Sequence, residues 1–487
     1  MTSVSASTPA LGRAASSLRA RPPVGTVSVV VFFFVFYTNL AVVLTRFHGV
    51  PQIVASSIAV LLLIPVTRAL IVERQPLVVT PVLPLVLIFL GTLFLAGVRS
   101  PEPTVVQHNI GLYLSEGLVL YLLVSNAVRT THLLTRVVWT LILAGALLGG
   151  LSIFQELTHS YANDYAGFAQ VDRLDTGGGF NVAPESATEK DLRPRLGGPL
   201  GSENRYAQIL AVVFPLALIR VFRDPRRSRR LAAGAASVLI AGGIFLTFSR
   251  GAAIAVAVTI LMTLLLRELK LRNVLPALAV LTAIVFFVVP DYVVRLSSLE
   301  GVTALSSTSD STNRPDSALV GRETENLAAL HTFIDHPLTG VGPGVYFAEY
   351  SRDYANRLGL RYLGSERRGH SLYLELTADT GIIGLTAFIA MVGVPLVLLF
   401  RSARYWRDRD PERAIIASSF LFALIAYLAS AMFLHLSYQR YFWAVLALAS
   451  ASLWVLRQDQ ADASLQREAP AAAGSETAAF APRRARR

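Results

Sequence analysis

The sequence contains no cysteine, so disulfide bonds and thiolate metal sites are excluded. Charged residues are also scarce, at 16% of the 487 residues, whereas soluble domains carry about 25%. Hydrophobic residues reach 53%, which means that most side chains do not face water. The composition therefore favours an integral membrane protein over a soluble domain.

The sequence also lacks the short alternation of polar and apolar residues that is typical of membrane β-barrels. Its apolar residues form continuous runs of about 17 to 22 residues, which are long enough to cross a bilayer as helices. The predicted fold class is an all-α integral membrane protein with about 12 transmembrane helices and a small, mostly helical extracytoplasmic domain. The predicted spans lie near 26–45, 50–67, 78–97, 109–127, 134–155, 205–222, 231–248, 250–266, 273–290, 379–400, 414–434 and 440–457.

The net charge of +12 would suit a nucleic-acid-binding protein, but the arginines lie in short clusters between the apolar runs. With the amino terminus inside, these clusters fall in loops on the cytoplasmic side, which agrees with the positive-inside rule. The densest cluster spans 220–230, and another spans 401–413. We therefore expect both termini in the cytoplasm, contact with membrane lipids and no nucleic-acid partner.

This topology divides the chain into seven segments and places both long loops on the extracytoplasmic side. Within the second loop, the spacing of apolar residues predicts a helix over 322–334, and 345–358 predicts another short helix. The segments are a basic cytoplasmic tail (1–25), amino-terminal transmembrane helices (26–156), an extracytoplasmic loop (157–204), central transmembrane helices (205–290), a large extracytoplasmic loop domain (291–370), carboxy-terminal transmembrane helices (371–457) and a disordered cytoplasmic tail (458–487).

Arg250 is the first residue that could carry chemistry. It lies between two apolar runs with almost no loop, at the predicted outer surface, where a charge needs a partner or water. The next helix begins at this point, so its dipole and its free N–H groups also face outward. A guanidinium beside a helix N-terminus suits phosphate oxygens. The alternative is an interfacial arginine whose side chain extends to the lipid head groups.

Arg322 and His370 are two further candidates in the second loop. Arg322 begins the predicted helix that is followed by the glycine-rich turn 340–344, and the alternative is a surface arginine before a structural turn. His370 directly precedes an apolar run, and a histidine at a membrane surface can take a proton near neutral pH. The alternative for His370 is a helix cap or an interfacial side chain.

The remaining polar residues have weaker signals. Glu116 lies within an apparent span, so it must be paired or hydrated. The histidines at positions 48, 108, 132 and 159 lack ligand spacing, so no metal site is predicted. Asp408-Arg409-Asp410 resembles the acid pair of nucleotide-sugar enzymes, although its basic cytoplasmic loop favours a solvated charge run. No internal repeat is apparent, which weighs against an inverted-repeat transporter.

Taken in order, these motifs resemble the O-antigen ligase and O-antigen polymerase superfamily. Three departures suggest a divergent member. Asn326 stands where an aromatic residue is usual, and Ser371 stands where the family has asparagine. Asp379 lies just upstream of the Gly-Ile-Ile-Gly run, where the family often has glutamate. The stretches that carry the resemblance are Gly201-Ser202-Glu203-Asn204, Ser249-Arg250-Gly251, Gly321-Arg322, Gly340-Val341-Gly342-Pro343-Gly344, His370-Ser371-Leu372-Tyr373-Leu374-Glu375 and Gly381-Ile382-Ile383-Gly384-Leu385.

The resemblance implies a membrane glycosyltransferase that needs no metal, nucleotide sugar or other cofactor. Its donor would be a glycan on undecaprenyl pyrophosphate, and its acceptor lipid A–core, another lipid-linked glycan or a protein hydroxyl. The reaction would take place on the outer face of the cytoplasmic membrane. The alternative is a transporter or flippase of lipid-linked sugar, which the many helices and Glu116 motivate.

The resemblance also implies roles for particular residues. His370 is expected to be the general base, and Arg250 and Arg322 are expected to bind the pyrophosphate. The supporting residues are expected to be Asn204, Glu375 and Glu116.

Overall fold

The computed structural model describes residues 24–172, 195–267, 317–359, 368–435 and 439–479, together with Leu275. The described chain is mostly helical, as predicted. Its helices are α1 (Val24–Tyr37), α2 (Leu40–His48), α3 (Gln52–Val72), α4 (Leu83–Gly97), α5 (Pro103–Ala127), α6 (Thr131–Leu157), α7 (Glu203–Arg223), α8 (Arg227–Leu246), α9 (Arg250–Leu265), α10 (Ser317–Asp335), α11 (Ser351–Arg357), α12 (Leu372–Trp406), α13 (Pro411–Ser430) and α14 (Gln439–Ala479).

Seven of the described helices are long and apolar enough to cross a membrane, namely α3, α5, α6, α7, α8, α12 and α13. The number becomes eight if the bent pair α1 and α2 is one span, while α4 and α9 are apolar but shorter. The prediction of a helical multi-pass membrane protein is therefore confirmed. The predicted count of about twelve is not confirmed by the described residues, and the predicted span at 273–290 lies outside them.

The first predicted span, 26–45, is broken into α1 and α2, which meet at an angle of 57°. Asn39 at the break has a positive φ of 56°, a conformation that a continuous helix does not contain. Its side-chain Nδ2 donates to the carbonyl of Pro199 at 2.9 Å, and its Oδ1 accepts from Arg440 Nη2 at 2.8 Å. Groups that are distant in the sequence therefore form hydrogen bonds with both polar atoms of the Asn39 side chain at the break.

The last helix, α14, continues through Ala479, into the region that was predicted as a disordered tail from 458 onward. Alanine, the strongest helix former, is the commonest residue of this stretch. Hydropathy predicts only the apolar part of this helix, because the polar residues that continue it do not resemble a membrane span.

A polar network joins the helices at one end of the bundle. The fully buried Arg220 donates from Nη2 to Glu412 Oε1 at 2.7 Å and from Nη1 to Asp224 Oδ2 at 3.1 Å. Close to this pair, Arg413 Nε of α13 donates to Asp459 Oδ2 of α14 at 2.7 Å. Since Arg220 lies at the last turn of α7, the first turn of α7 lies at the opposite end of the bundle.

The first long loop contains a short antiparallel hairpin of β1 (Gln170–Asp172) and β2 (Arg195–Gly198). Arg195 Nη1 lies 2.6 Å from Glu203 Oε1, so an ion pair ties the hairpin to the start of α7. The hairpin therefore belongs to the end of the bundle that lies away from Arg220.

Candidate active site

A glycine-rich turn packs against a break in α12. The break is at Gly381, whose φ of 64° and ψ of −165° interrupt the helix. The N–H of Val341 donates to the carbonyl of Ala378 at 3.1 Å, and the N–H of Gly342 donates to the carbonyl of Asp379 at 2.8 Å. The turn thus satisfies backbone groups that the broken helix leaves open, as a membrane environment requires.

The side chain of Asp379 extends the same connection. Its carboxylate accepts from the N–H of Gly344 at 2.8 Å and from the N–H of Tyr346 at 3.1 Å. The Tyr346 hydroxyl then donates to the backbone carbonyl of Glu325 on α10 at 2.7 Å. Burial, reinforced by nearby carboxylates, raises the pKa of Tyr346, so its hydroxyl stays a donor. This chain of bonds fixes the position of Glu325 relative to α12.

Replacing Gly340 by alanine is expected to destabilise the protein by about 3 kcal/mol. Gly340 has a φ of 65°, and a Cβ there would lie 2.4 Å from the backbone carbon of Asp379. Gly359→Ala is the matched control, since Gly359 has a φ of 63° but nothing within 4 Å of its added Cβ. The control should lose only about 1 kcal/mol. Denaturant unfolding in detergent measures both, and equal losses would contradict the packing of the turn.

His370 lies at the start of α12 and contacts Glu325 through its Nδ1 atom. The Glu325 side chain is only 2% exposed, whereas that of His370 is 33% exposed. With Nδ1–H donating to the carboxylate, Nε2 keeps its lone pair and can accept a proton. Arg322 lies one helical turn before Glu325 on α10, so the structure brings Arg322, Glu325 and His370 into one region.

A second acid–base pair lies beside this contact. Arg368 Nη1 is 2.9 Å from Glu375 Oε1, and the Arg368 guanidinium stacks 4.6 Å from the centre of the Phe347 ring. The other oxygen of Glu375 is buried and has no hydrogen-bond partner among the described residues. Glu375 therefore lies beside Arg368 and close to the charge of Arg205. Its supporting role stays a prediction.

Arg205 and His435 complete the polar cluster. Arg205, buried near the start of α7, has its Nη2 atom 2.9 Å from His435 Nδ1. Burial and the positive charges of Arg205 and Arg368 lower the pKa of His435. His435 therefore stays neutral at physiological pH and can accept the hydrogen bond from Arg205.

Sequence analysis missed four residues of this cluster: Arg205, Glu325, Arg368 and His435. Signals existed for two of them, because Arg205 directly follows the motif that ends at Asn204 and Arg368 lies two residues before His370. A charge at the start of an apolar helix needs a partner, and that requirement alone could have flagged Arg205.

Arg250 lies at the same end of the bundle, at the first residue of α9. Ser249 caps this helix, with its Oγ accepting from the N–H of Ala252 at 3.4 Å. The neighbouring Gly251 packs against Phe433, two residues before His435. The structure therefore places the first turn of α9 beside the segment that carries His435.

The structure pairs neither of the other two predicted supporting residues with His370. Asn204 Nδ2 donates to Glu203 Oε1 at 3.0 Å, and Glu203 in turn pairs with Arg195 of the hairpin. Asn204 thus helps to hold the hairpin on α7. Glu116 lines a separate cavity together with Arg46 and Arg440.

The described ranges contain no group of three histidine, aspartate or glutamate side chains that could hold a metal ion. Within Asp408-Arg409-Asp410, the Asp410 side chain caps α13, and its Oδ2 pairs with Arg413 Nη1 at 2.5 Å. These contacts agree with the interpretation of this stretch as a charge run at a helix start.

The helices and the polar cluster define a multi-pass membrane protein with an ionisable site at one end of its bundle. Residues 235–389 match the family model described as O-antigen ligase, and this segment contains Arg250, Arg322, His370 and Glu375. The match confirms the predicted resemblance to the O-antigen ligase and polymerase superfamily. It supports a membrane glycosyltransferase of the ligase or polymerase type.

No curated protein matches the sequence. One chain of the solved structure described as "Structural coordination of polymerization and crosslinking by a peptidoglycan synthase complex" aligns with 77% of this chain and 96% of its own length. The alignment has 17% sequence identity and a TM-score of 0.38.

Proposed function

We propose that this protein transfers a glycan from undecaprenyl pyrophosphate to an acceptor hydroxyl on the extracytoplasmic face of the cytoplasmic membrane. The observation that carries the proposal is the contact between His370 and the buried carboxylate of Glu325. This pair lies at the end of the bundle opposite the network of Arg220 and Glu412. The network residues lie at helix ends beside loops whose arginine content predicts the cytoplasmic side.

His370 acts as the general base in this proposal. Its Nε2 atom removes the proton of the acceptor hydroxyl while the hydroxyl oxygen attacks the anomeric carbon of the donor glycan. The bond between that carbon and the pyrophosphate oxygen breaks, and both of its electrons leave with the pyrophosphate. Glu325 holds the imidazole by its Nδ1–H and stabilises the positive charge that the ring gains.

Arg250 and Arg322 bind the pyrophosphate leaving group in this proposal. Negative charge grows on its oxygens as the glycosidic bond breaks, and fixed guanidinium groups stabilise that charge more in the transition state than in the bound donor. Arg205 and Arg368 also bring positive charge to this region, but their contacts with His435 and Glu375 suit them to holding the site together.

The class of acceptor can be tested by glycan analysis of a deletion strain. A polymerase predicts loss of long glycan chains with single repeats retained, whereas a ligase predicts accumulation of lipid-linked polymer. Complementation with the wild-type gene should restore the profile, and His370→Ala at equal expression should not. An unchanged glycan profile after deletion would contradict the proposed function. Movement of lipid-linked sugar across vesicle membranes without glycan transfer would favour the flippase hypothesis.

A further inference from the structure

A cavity of about 450 Å³ lies beside the break between α1 and α2, apart from the His370 site. The charged side chains that line it are Arg46 of α2, Glu116 of α5 and Arg440 of α14. These two arginines and one glutamate leave one net positive charge in the cavity. Its charge therefore favours an anionic ligand, and its volume suits a small molecule or a lipid head group.

Arg440 lines the cavity, and two contacts hold its side chain in place. Its Nη2 donates to Asn39 Oδ1 at 2.8 Å, and its guanidinium lies 5.3 Å from the centre of the Tyr441 ring. Its Nε–H is buried and has no partner within the described residues. A buried donor without a partner is costly, so a ligand oxygen that accepts from it would relieve this cost.

Arg46 is exposed and makes no ion pair with any described residue, although its guanidinium lies 5.7 Å from the centre of the Phe47 ring. It also lines a second cavity of about 430 Å³ beside the hairpin. Arg46 is thus free to turn toward a ligand in either cavity. Its planar guanidinium can make two parallel hydrogen bonds to a phosphate group.

Glu116 lies on a π-helical turn, Tyr113–Val119, inside α5. Such turns are rare and occur frequently at functional sites. The next residue, Gly117, packs directly against Trp443 of α14, which leaves no room for a side chain there. This packing holds the turn against α14 and so fixes the backbone of Glu116 at the wall of the cavity.

The rest of the cavity wall is mostly apolar, with Thr45, Gln52 and Ser115 as its uncharged polar residues. Phe32, Phe36 and Ile58 are among the apolar residues that line it. Ile58 belongs to α3, a candidate span in which Ile53 and Val60 are 73% and 54% exposed. Exposed apolar side chains on a membrane helix face the lipid chains. A ligand with an acyl or prenyl chain could therefore reach the cavity sideways from the bilayer.

We propose that this cavity binds a lipid with a phosphate in its head group. Arg46 and the Nε–H of Arg440 contact the phosphate oxygens, and the apolar wall contacts the first part of the lipid chain. Glu116 lowers the affinity for the anion by repulsion and so keeps binding reversible. This site is separate from the proposed transfer reaction, and lipid binding can be measured whether or not the protein is a glycosyltransferase.

The test is lipid binding to the purified full chain in a non-ionic detergent. The probe is fluorescent phosphatidylglycerol, displaced by unlabelled phosphatidylglycerol, phosphatidylcholine or inorganic phosphate. Arg46→Ala is expected to weaken phosphatidylglycerol binding by about 10- to 100-fold, because it removes a charge-assisted contact to phosphate. Glu116→Gln is expected to strengthen it severalfold. The two variants are expected to change the affinity for phosphatidylglycerol in opposite directions. Damage to the fold would not explain this result, since a damaged protein does not gain affinity.

Arg74→Gln is the matched control, because Arg74 is an exposed arginine just beyond the other end of α3. It should bind phosphatidylglycerol as the wild type does. Arg46→Ala with wild-type affinity would overturn the proposal, and so would equal binding of phosphatidylcholine and phosphatidylglycerol. Displacement by inorganic phosphate as effective as that by phosphatidylglycerol would also overturn it, since it would indicate a site for free anions.

Discussion

Replacing His370 by alanine is expected to reduce the rate of glycan transfer by about 10²- to 10⁴-fold, the usual contribution of a placed general base. The substitution removes the Nε2 atom that would take the proton of the acceptor hydroxyl. The substitution also leaves the buried Glu325 carboxylate without this partner, so rates are compared at equal amounts of folded protein. Initial rates with lipid-linked glycan extracted from a deletion strain provide the measurement.

His132→Ala is the control for this variant, because His132 is an exposed histidine at the opposite end of the bundle. Its transfer rate should equal that of the wild type. A His370→Ala protein that transfers glycan at the wild-type rate would exclude His370 as the base.

The same assay tests the positioning of the base by Glu325. Glu325→Gln keeps an oxygen that can accept from Nδ1–H but removes the charge that stabilises the imidazolium. We therefore expect kcat to fall by about tenfold or more with little change in KM, because the loss arises in the transition state. Glu349→Gln, an exposed substitution in the π-helical turn Tyr346–Tyr350, should change neither value.

Arg322→Ala and Arg250→Ala are each expected to reduce kcat by about 10²- to 10³-fold, comparable to the loss of one donor to a developing anion. Lysine at either position should restore only part of the rate, because an ammonium group lacks the planar fork that binds two phosphate oxygens. Proteoliposomes that contain equal amounts of each variant allow the rates to be compared.

Arg267→Ala is the matched control for this pair, since Arg267 is exposed just beyond the other end of α9, the helix that Arg250 begins. Its rate should remain that of the wild type. A similar loss in Arg267→Ala, or a normal rate in both Arg250→Ala and Arg322→Ala, would exclude the proposed pyrophosphate contacts.

Much of the helical framework could be predicted from hydropathy, because a chain in lipid must satisfy its backbone within each segment. The breaks at Asn39 and Gly381 could not be predicted in this way. Both lie inside or beside apolar runs, and the groups that satisfy them come from residues distant in sequence, such as Pro199 and the turn around Val341. Only the packed structure shows those contacts.

The candidate site was predicted in part for a similar reason. His370 and Arg322 stand out because charged or titratable residues are scarce next to apolar runs. Glu325 does not stand out, since a glutamate on an amphipathic helix normally faces water. Its burial depends on the contact with His370, a residue 45 positions away in the chain. A pair of this kind has no local pattern that could reveal it.

The glycine turn packs against the interrupted helix α12, and this packing affects how far His370 lies from the bilayer. The turn and Asp379 bind α10 to a helix that is itself anchored in lipid. These bonds therefore fix the distance between His370 and the membrane surface. A donor whose lipid tail stays in the bilayer presents its first sugar at a fixed distance from the surface. In the proposed transfer reaction, this fixed distance would favour cleavage of the glycosidic bond that is nearest the lipid.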